Sequence, residues 1–385
     1  YTKEKSMKFL HIVHLNEQNG YQLFKQLHET YDLTEHTFLV CNSKSSLKLF
    51  PSYQEFDNFV YLPNNRFQKA ILIYRLMKQA KYIIFNSLLF NSDKYLIFIY
   101  LCCKRFLQKA AWMEWGAALY NWRRKGTDFK SKLLNYINYH IRKEIKVVGV
   151  TFEADDIEVH KQFGANVKCY FTPLPFGADR KEMLEKTYKH QDDKKFIRIQ
   201  IAHNSLQVNN HIPILSRLET FAHENIQLVL PLNYGVFGIG KQYGGTQYRN
   251  SVILCAKSLF KDKVTIISKK MPLQNYLQYL RNIDIAIFDC ERPIALANIY
   301  YMLYMGKKVY LPSSSVHYQF FKRIGLPIYA TDDIPHMSFD EFTRQENISN
   351  IPIYILDKFT PGKEIQFWGD FFTHIEYDLG TGGYA

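Results

Sequence analysis

Phe196-Ile197-Arg198-Ile199-Gln200-Ile201-Ala202-His203-Asn204-Ser205 is the stretch on which the fold turns. An apolar run of strand length ends in a polar turn, and a helical pattern follows over 211–223 with Asn209 as its expected cap. The same order then repeats. Strands are predicted at 226–230, 264–268, 283–288 and 308–311, with helices at 244–260, 273–281 and 294–305 between them. Strands without a polar face, separated by helices, predict a parallel sheet covered on both sides.

The polar run 187–195 and the Pro-rich stretch 171–177 set this region off from an earlier series. There strands are predicted at 8–13, 37–40, 59–62, 82–85, 109–112 and 146–150, with helices at 21–29 and 67–78. The expectation is an α/β chain of two Rossmann-like, doubly wound domains at 7–180 and 190–356. A tail at 357–380, carrying Trp368, Phe371 and Phe372, is expected to pack back on the first domain. A length of 385 residues suits two cores. Two such domains facing each other leave a central cleft outside the carboxyl ends of their strands, where open α/β sheets bind ligands. GT-B glycosyltransferases have this architecture, as do periplasmic binding proteins and some epimerases, so fold alone does not choose.

Lys and Arg number 49 against 36 Asp and Glu, a formal charge of +13, which points to phosphate, nucleic acid or an anionic membrane as partner. Six scattered cysteines with no C-x-x-C pair favour a reducing compartment over a disulfide or zinc framework. The longest apolar run, 95–103, is too short to span a bilayer, and Lys3, Glu4 and Lys5 do not open a secretory signal. A cytoplasmic protein, soluble or peripheral, is expected. Over 121–146, cations from Arg123 to Lys146 alternate with Trp122, Phe129, Leu133, Tyr136 and Tyr139, giving a basic amphipathic helix. No nucleic-acid module accompanies it, so the expected contact is anionic lipid or the diphosphate of a lipid-linked acceptor.

The chain has no P-loop, no G-x-S-x-G elbow, no H-E-x-x-H and no Asp-x-Asp at a strand end, so no metal or cofactor is expected. Asn204 and Ser205, in a turn between strand and helix, suit a diphosphate, and suit an ordinary capped turn equally well. Tyr234 and Lys241 lie in a glycine-rich loop after a strand. Glu291 and Arg292 precede the helix that carries Asn298; Arg292 suits phosphate and Glu291 a ribose. Trp112, Trp115 and Tyr120 surround Glu114 with rings that suit a sugar, and desolvation would raise that carboxyl toward a useful base, with Glu153 and Asp155 in reserve.

Trp112, Trp115, Gly116, Ala117, Leu119 and Tyr120, with Asn204-Ser205, His211, Pro231, Tyr234, Arg292, Gly306 and Trp368, resemble the pattern of glycosyltransferase family 56. These are the TDP-N-acetylfucosamine:lipid II N-acetylfucosaminyltransferases of enterobacterial common antigen assembly. The resemblance implies a GT-B fold, donor binding mainly by the second domain, and an undecaprenyl-diphosphate-linked acceptor near the first, although Glu291-Arg292-Pro293-Ile294 replaces the family's Gly-rich run. With the readings above, the expected donor residues are Asn204, Ser205, His211, Tyr234, Lys241, Glu291, Arg292 and Asn298, and the expected acceptor residues are Trp112, Trp115 and Tyr120. The resemblance also implies a metal-independent hexosyltransferase at the inner face of the bacterial plasma membrane, using a UDP- or TDP-linked sugar, with self-association left open. The family pattern carries His and Asp where this chain has Met113 and Ala118. That departure keeps a second expectation open, a non-catalytic glycan-binding or partner subunit.

Overall fold

Short, apolar, β-branched runs at regular intervals build the first sheet. β1 (Phe9–Val13), β2 (His36–Val40), β3 (Phe59–Tyr61), β4 (Tyr82–Phe85), β5 (Ala110–Glu114), β6 (Val147–Val150) and β7 (Lys168–Phe171) pair in the order β3-β2-β1-β4-β5-β6-β7, all parallel. The computed structural model describes residues 7–14, 20–41, 56–88, 93–124, 126–173, 196–233, 245–290, 292–344, 352–360 and 362–380. It divides into two units, residues 1–175 with 362–385, and residues 176–361.

Alternate side chains of each strand enter different cores. Leu10, Ile12, Ile83, Phe85 and Trp112 face one helical layer: α2 (Arg66–Gln79), α3 (Asp93–Cys102), α5 (Phe129–Glu144) and α6 (Asp155–Phe163). Phe9, Val13, Phe38, Ile84 and Met113 face α1 (Gly20–Thr30) and α14 (Lys363–Gly380). Trp368, Phe371 and Ile375 of α14 are buried there, each burial contributing roughly 1.5–3 kcal/mol. The Trp368 indole N–H also donates to the Pro173 carbonyl at 3.1 Å. Gly149 of β6 is a forced choice, since a β-carbon there would collide with the Met113 thioether and sit 2.7 Å from the Thr172 hydroxyl.

The basic segment is shorter than the sequence suggests. Asp128 caps α5, its carboxylate accepting from the Ser131 N–H at 3.0 Å, and 121–124 and 126–128 are not helical. Arg142, expected on the solvated basic face, is only 1% exposed. The periodicity carried this signal: Leu134, Asn138 and Arg142 recur every fourth residue on the buried stripe. Strand β7 and helices α3 and α6 were also missed.

The second sheet contains β8 (Ile197–Ile201), β9 (Ile226–Pro231), β10 (Val264–Ile267), β11 (Ile285–Ile287), β12 (Lys308–Leu311) and β13 (Ile328–Ala330), in the order β10-β9-β8-β11-β12-β13, again all parallel. Helices α7 (His211–Leu218), α8 (Gly245–Phe260), α9 (Leu273–Arg281) and α10 (Leu296–Tyr304) connect its first four strands and β12. The helix expected over 211–223 stops at Leu218 and tightens into a 3₁₀ turn over Glu219–Phe221. In each sheet the winding direction reverses once, between β1 and β4 and between β8 and β11. Loops part at such a switch point and leave room for a ligand.

Candidate functional site

Backbone strain marks both switch points. Outside glycine, positive φ occurs among the described residues at Ser87, Ala202, Asn210, Lys261 and Ala295. Ser87 follows β4, Ala202 and Asn210 follow β8, and Ala295 precedes α10; only Lys261 lies elsewhere. Such conformations cost roughly 1–3 kcal/mol each and persist where surrounding structure enforces them, most often at functional sites.

In the second unit, two asparagines staple the loops after β8 and β11. The Asn209 amide donates to Asn204 Oδ1 at 2.6 Å and to the Leu206 carbonyl at 3.1 Å, while its own oxygen accepts from Cys290 Sγ at 3.2 Å. The Asn210 amide donates to the Asp289 carbonyl at 2.9 Å. Below them, the Tyr279 hydroxyl donates to Gln200 Oε1 at 2.8 Å, and the Gln200 amide donates to the carbonyl of strained Ala202 at 2.8 Å. Asn210 is the residue before α7, but its side chain does not cap that helix, and no side chain caps α10 either. Two helix amino ends therefore lie at one switch point without a side-chain N-cap; in α7 the His211 N–H donates to the Tyr248 hydroxyl at 3.3 Å and Pro213 has no N–H, so the end that favours an anion is that of α10.

Imidazoles complete this corner. His211 is buried and His203 half-buried, and His203 Nδ1 and His211 Nε2 have no hydrogen-bond partner. Burial pushes His203 down to about 3, with the charges of His211 and Arg292 adding to it, and burial pushes His211 down to about 4. Both rings are neutral at physiological pH. Arg292 is close enough for its charge to act on both His203 and Cys290. Asn204, Ser205 and Arg292 are thus gathered at one edge, but with different roles. The Asn204 side chain is consumed within its own turn, bonding to His203 Nε2 at 2.7 Å and to the Leu206 N–H at 2.9 Å, and Ser205 is fully buried. Both side chains are thus part of the turn's own construction. His211 bonds the Tyr248 hydroxyl at 3.2 Å, and Asn298 accepts from Tyr276 at 2.7 Å. Tyr234, Lys241 and Glu291 lie outside the described residues.

In the first unit, the tryptophan segment folds differently from an open sugar platform. Trp112 has no exposure and Trp115 is half-buried, their indole nitrogens without partners. Glu114, the last residue of β5, is fully buried, its oxygens facing the Gly116 and Leu119 N–H groups and the Asp155 carboxyl without a well-aligned bond. Burial, then the neighbouring Asp155 charge, holds Glu114 well above the usual carboxylate range. Burial likewise pushes Asp155 up to about 7, opposed by the Tyr120 hydroxyl, which donates to it at 2.6 Å. Two adjacent carboxyls in an apolar shell share a proton rather than both ionising. Glu153 is half-buried just before α6, one turn from this pair.

Sequence reasoning missed Arg142, which holds this corner together. Its guanidinium lies 5.3 Å from the Trp112 ring and 5.3 Å from the Trp122 ring, and donates to the Leu88 carbonyl at 2.8 Å and the Ala118 carbonyl at 3.3 Å. One side chain thus ties the loop after β4 to the loop after β5. Burial lowers Arg142 to about 9, with the Glu114 charge opposing that fall. Met113 points to the opposite face of β5, toward α14, so its presence leaves the Glu114–Asp155 pair untouched.

Among the described residues no group of three metal-ligating side chains comes together, and no helix is long and apolar enough to cross a membrane. The sequence profile of the family described as 4-alpha-L-fucosyltransferase glycosyl transferase group 56 matches residues 12–364. No protein with a curated description matches the sequence. A glycosyltransferase from Rickettsia africae is similar in structure, with a TM-score of 0.58 at 12% identity and full coverage of both chains. HepE from Anabaena, solved with UDP, gives a TM-score of 0.63 at 10% identity, covering 96% of this chain and all of its own. The trehalose 6-phosphate synthase of Burkholderia multivorans gives 0.59 at 9% identity, covering 98% of this chain and all of its own. The fold is that of the GT-B glycosyltransferases, built from two Rossmann-like units.

Proposed function

The chain belongs to glycosyltransferase group 56, the 4-alpha-L-fucosyltransferase family, and we propose that it moves a sugar from a nucleoside diphosphate to a glycan or polyprenyl-diphosphate-linked acceptor in bacterial surface polysaccharide synthesis. The donor diphosphate sits against the loops after β8 and β11. The observation that carries this reading is the uncapped amino end of α10 beside Arg292 at the strained switch point. HepE, of the same fold, was solved with UDP and with UDP-glucose, which supports a nucleoside-diphosphate sugar as donor here.

When the acceptor hydroxyl attacks the anomeric carbon, its proton must leave and negative charge builds on the departing diphosphate. Arg292 and the helix N–H groups stabilise that charge, the step for which preorganised donors matter most. The proposed transfer is metal-independent: the fixed positive charge of Arg292 and the backbone N–H groups at the amino end of α10 meet the developing negative charge. The Glu114–Asp155 pair takes the proton; Asp155 near 7 is matched to that task at cytoplasmic pH. Both carboxyls are sealed in this state, so the acceptor reaches them when the 115–120 segment opens. The acceptor's lipid and diphosphate bring the enzyme to the anionic inner face of the plasma membrane, with the exposed side chains of residues 121–146 as the contact. The test is release of UDP or TDP from a panel of nucleotide sugars on addition of polyprenyl-diphosphate glycans. Turnover with at least one donor is expected; no nucleotide release with any acceptor, together with no nucleotide binding, would overturn the proposal.

A further inference from the structure

The same helical layer that buries Trp112 and Arg142 carries an outer surface that is both apolar and cationic. Its helices run antiparallel to the strands, so the amino ends of α2 and α5 lie at the carboxyl edge of the first sheet, the edge where β5 ends in Glu114. Phe67 and Phe129, first-turn residues of those two helices, are each 82% exposed. Ile71 continues the stripe on α2 at one-turn spacing, and Leu133 and Tyr136 continue it on α5, all exposed. The segment 104–109 joins the helices: the Arg105 guanidinium lies 5.5 Å from the Tyr74 ring of α2, and Lys104 pairs with Glu144 of α5 at 3.3 Å.

The charge around these side chains has one sign. Exposed Arg66 adjoins Phe67, and exposed Lys130 and Lys132 adjoin Phe129; Arg75 and Lys78 on α2 and Lys143 on α5 are exposed farther along the same helices. Helix α2 contains no acidic residue. In the basic segment the acids are Asp128, whose carboxylate caps α5, and Glu144, held by Lys104. Monomer surfaces rarely leave several large apolar side chains exposed in stripes along their helices. A nucleic-acid groove would use the cations but has no use for exposed Ile71 and Leu133, whereas a bilayer interface uses both.

We propose that α2 and α5 together form a two-pronged platform for an anionic bilayer, with Phe67 and Phe129 inserting among the acyl chains and the flanking cations resting on the headgroups. This deepens the reading of a lipid-linked acceptor and rests on it. The platform brings the carboxyl edge of the first sheet to the membrane surface, so a polyprenyl-anchored acceptor reaches Glu114 and Asp155 without leaving the bilayer.

The test is co-sedimentation of the full chain with vesicles of phosphatidylcholine alone and of phosphatidylcholine and phosphatidylglycerol in equal parts. Binding is expected only to the mixed vesicles, weakening with added salt. Phe67→Ser and Phe129→Ser should each reduce it about tenfold. The Lys130→Gln/Lys132→Gln variant should weaken it and flatten the salt dependence. These positions are exposed, so unchanged melting temperature and unchanged UDP or TDP affinity serve as the folding control. Equal binding to both vesicle types, wild-type binding by both Phe variants, or binding to a DNA duplex with none to vesicles would each overturn the platform. Because the vesicles contain no substrate, loss of vesicle binding with nucleotide affinity intact removes the platform and leaves the transferase reading standing.

Discussion

The two switch points sit on nearly the same frame and hold opposite chemistry. In the first unit the corner is made of ionisable groups sealed from water: Glu114 and Asp155 beside Tyr120, with Arg142 clamped between two indoles. In the second it is made of asparagine amides, neutral imidazoles and helix amino ends, with Arg292 as the nearby cation. Burying acids without a full set of partners raises their proton affinity and makes a base or acid available near neutral pH. Leaving N–H groups uncapped makes a receptor for an anion and needs no titration. The division of labour proposed for the transfer, proton handling in one unit and charge stabilisation in the other, follows from that difference.

The comparison breaks most visibly if the acid pair is neutralised. Asp155→Asn is expected to lower kcat by roughly 10²–10⁴-fold with donor affinity unchanged, measured by nucleotide release and by calorimetry. The same variant should be more stable at neutral pH. Because burial raises Asp155 from 3.8 to about 7, the unfolded chain ionises first as pH rises between those values, so the folded state loses stability over that window. Denaturant titration across pH 4–8 should show that fall in the wild type and a flatter curve in Asp155→Asn.

Arg142 tests whether the sealed corner depends on one clamp. Arg142→Met is expected to cost about 3 kcal/mol of stability, because it leaves the Leu88 and Ala118 carbonyls without their donor, and Arg142→Lys should not restore it. On the other side of the comparison, Arg292→Ala should weaken UDP or TDP binding by about 10–100-fold while leaving the melting temperature of the free protein nearly unchanged. A smaller effect sharpens the carboxylate assignment. Removing the Tyr120 hydroxyl in Tyr120→Phe takes away a donor that lowers Asp155, so the acidic limb of the pH–rate profile should move upward from about 7.

The sequence made the frame legible and the chemistry only in part. Buried parallel strands carry no polar face, so their apolar runs stood out, and β1 to β6 and β8 to β12 were found. Strand β7, with half-buried Cys169 and Tyr170 at a sheet edge, gave a weaker pattern. Helix α6 was hidden because Asp155-Asp156 reads as a turn, although acids at a helix amino end are favourable there. Asn204 and Ser205 lie in the turn after β8 that the sequence predicts, but sequence cannot tell a side chain that meets a ligand from one spent on building the turn. Arg142 shows the converse failure: in a run of cations, the one that points inward is visible only through its four-residue spacing from Leu134 and Asn138.

Hydrogen–deuterium exchange of the full chain with and without saturating UDP or TDP tests the central claim most directly. Slower exchange is expected in the segments 202–211 and 288–298, with 110–120 unchanged until an acceptor is added. Protection confined to the first unit, or none at the loops after β8 and β11 despite measured nucleotide binding, would contradict the assignment of the donor site.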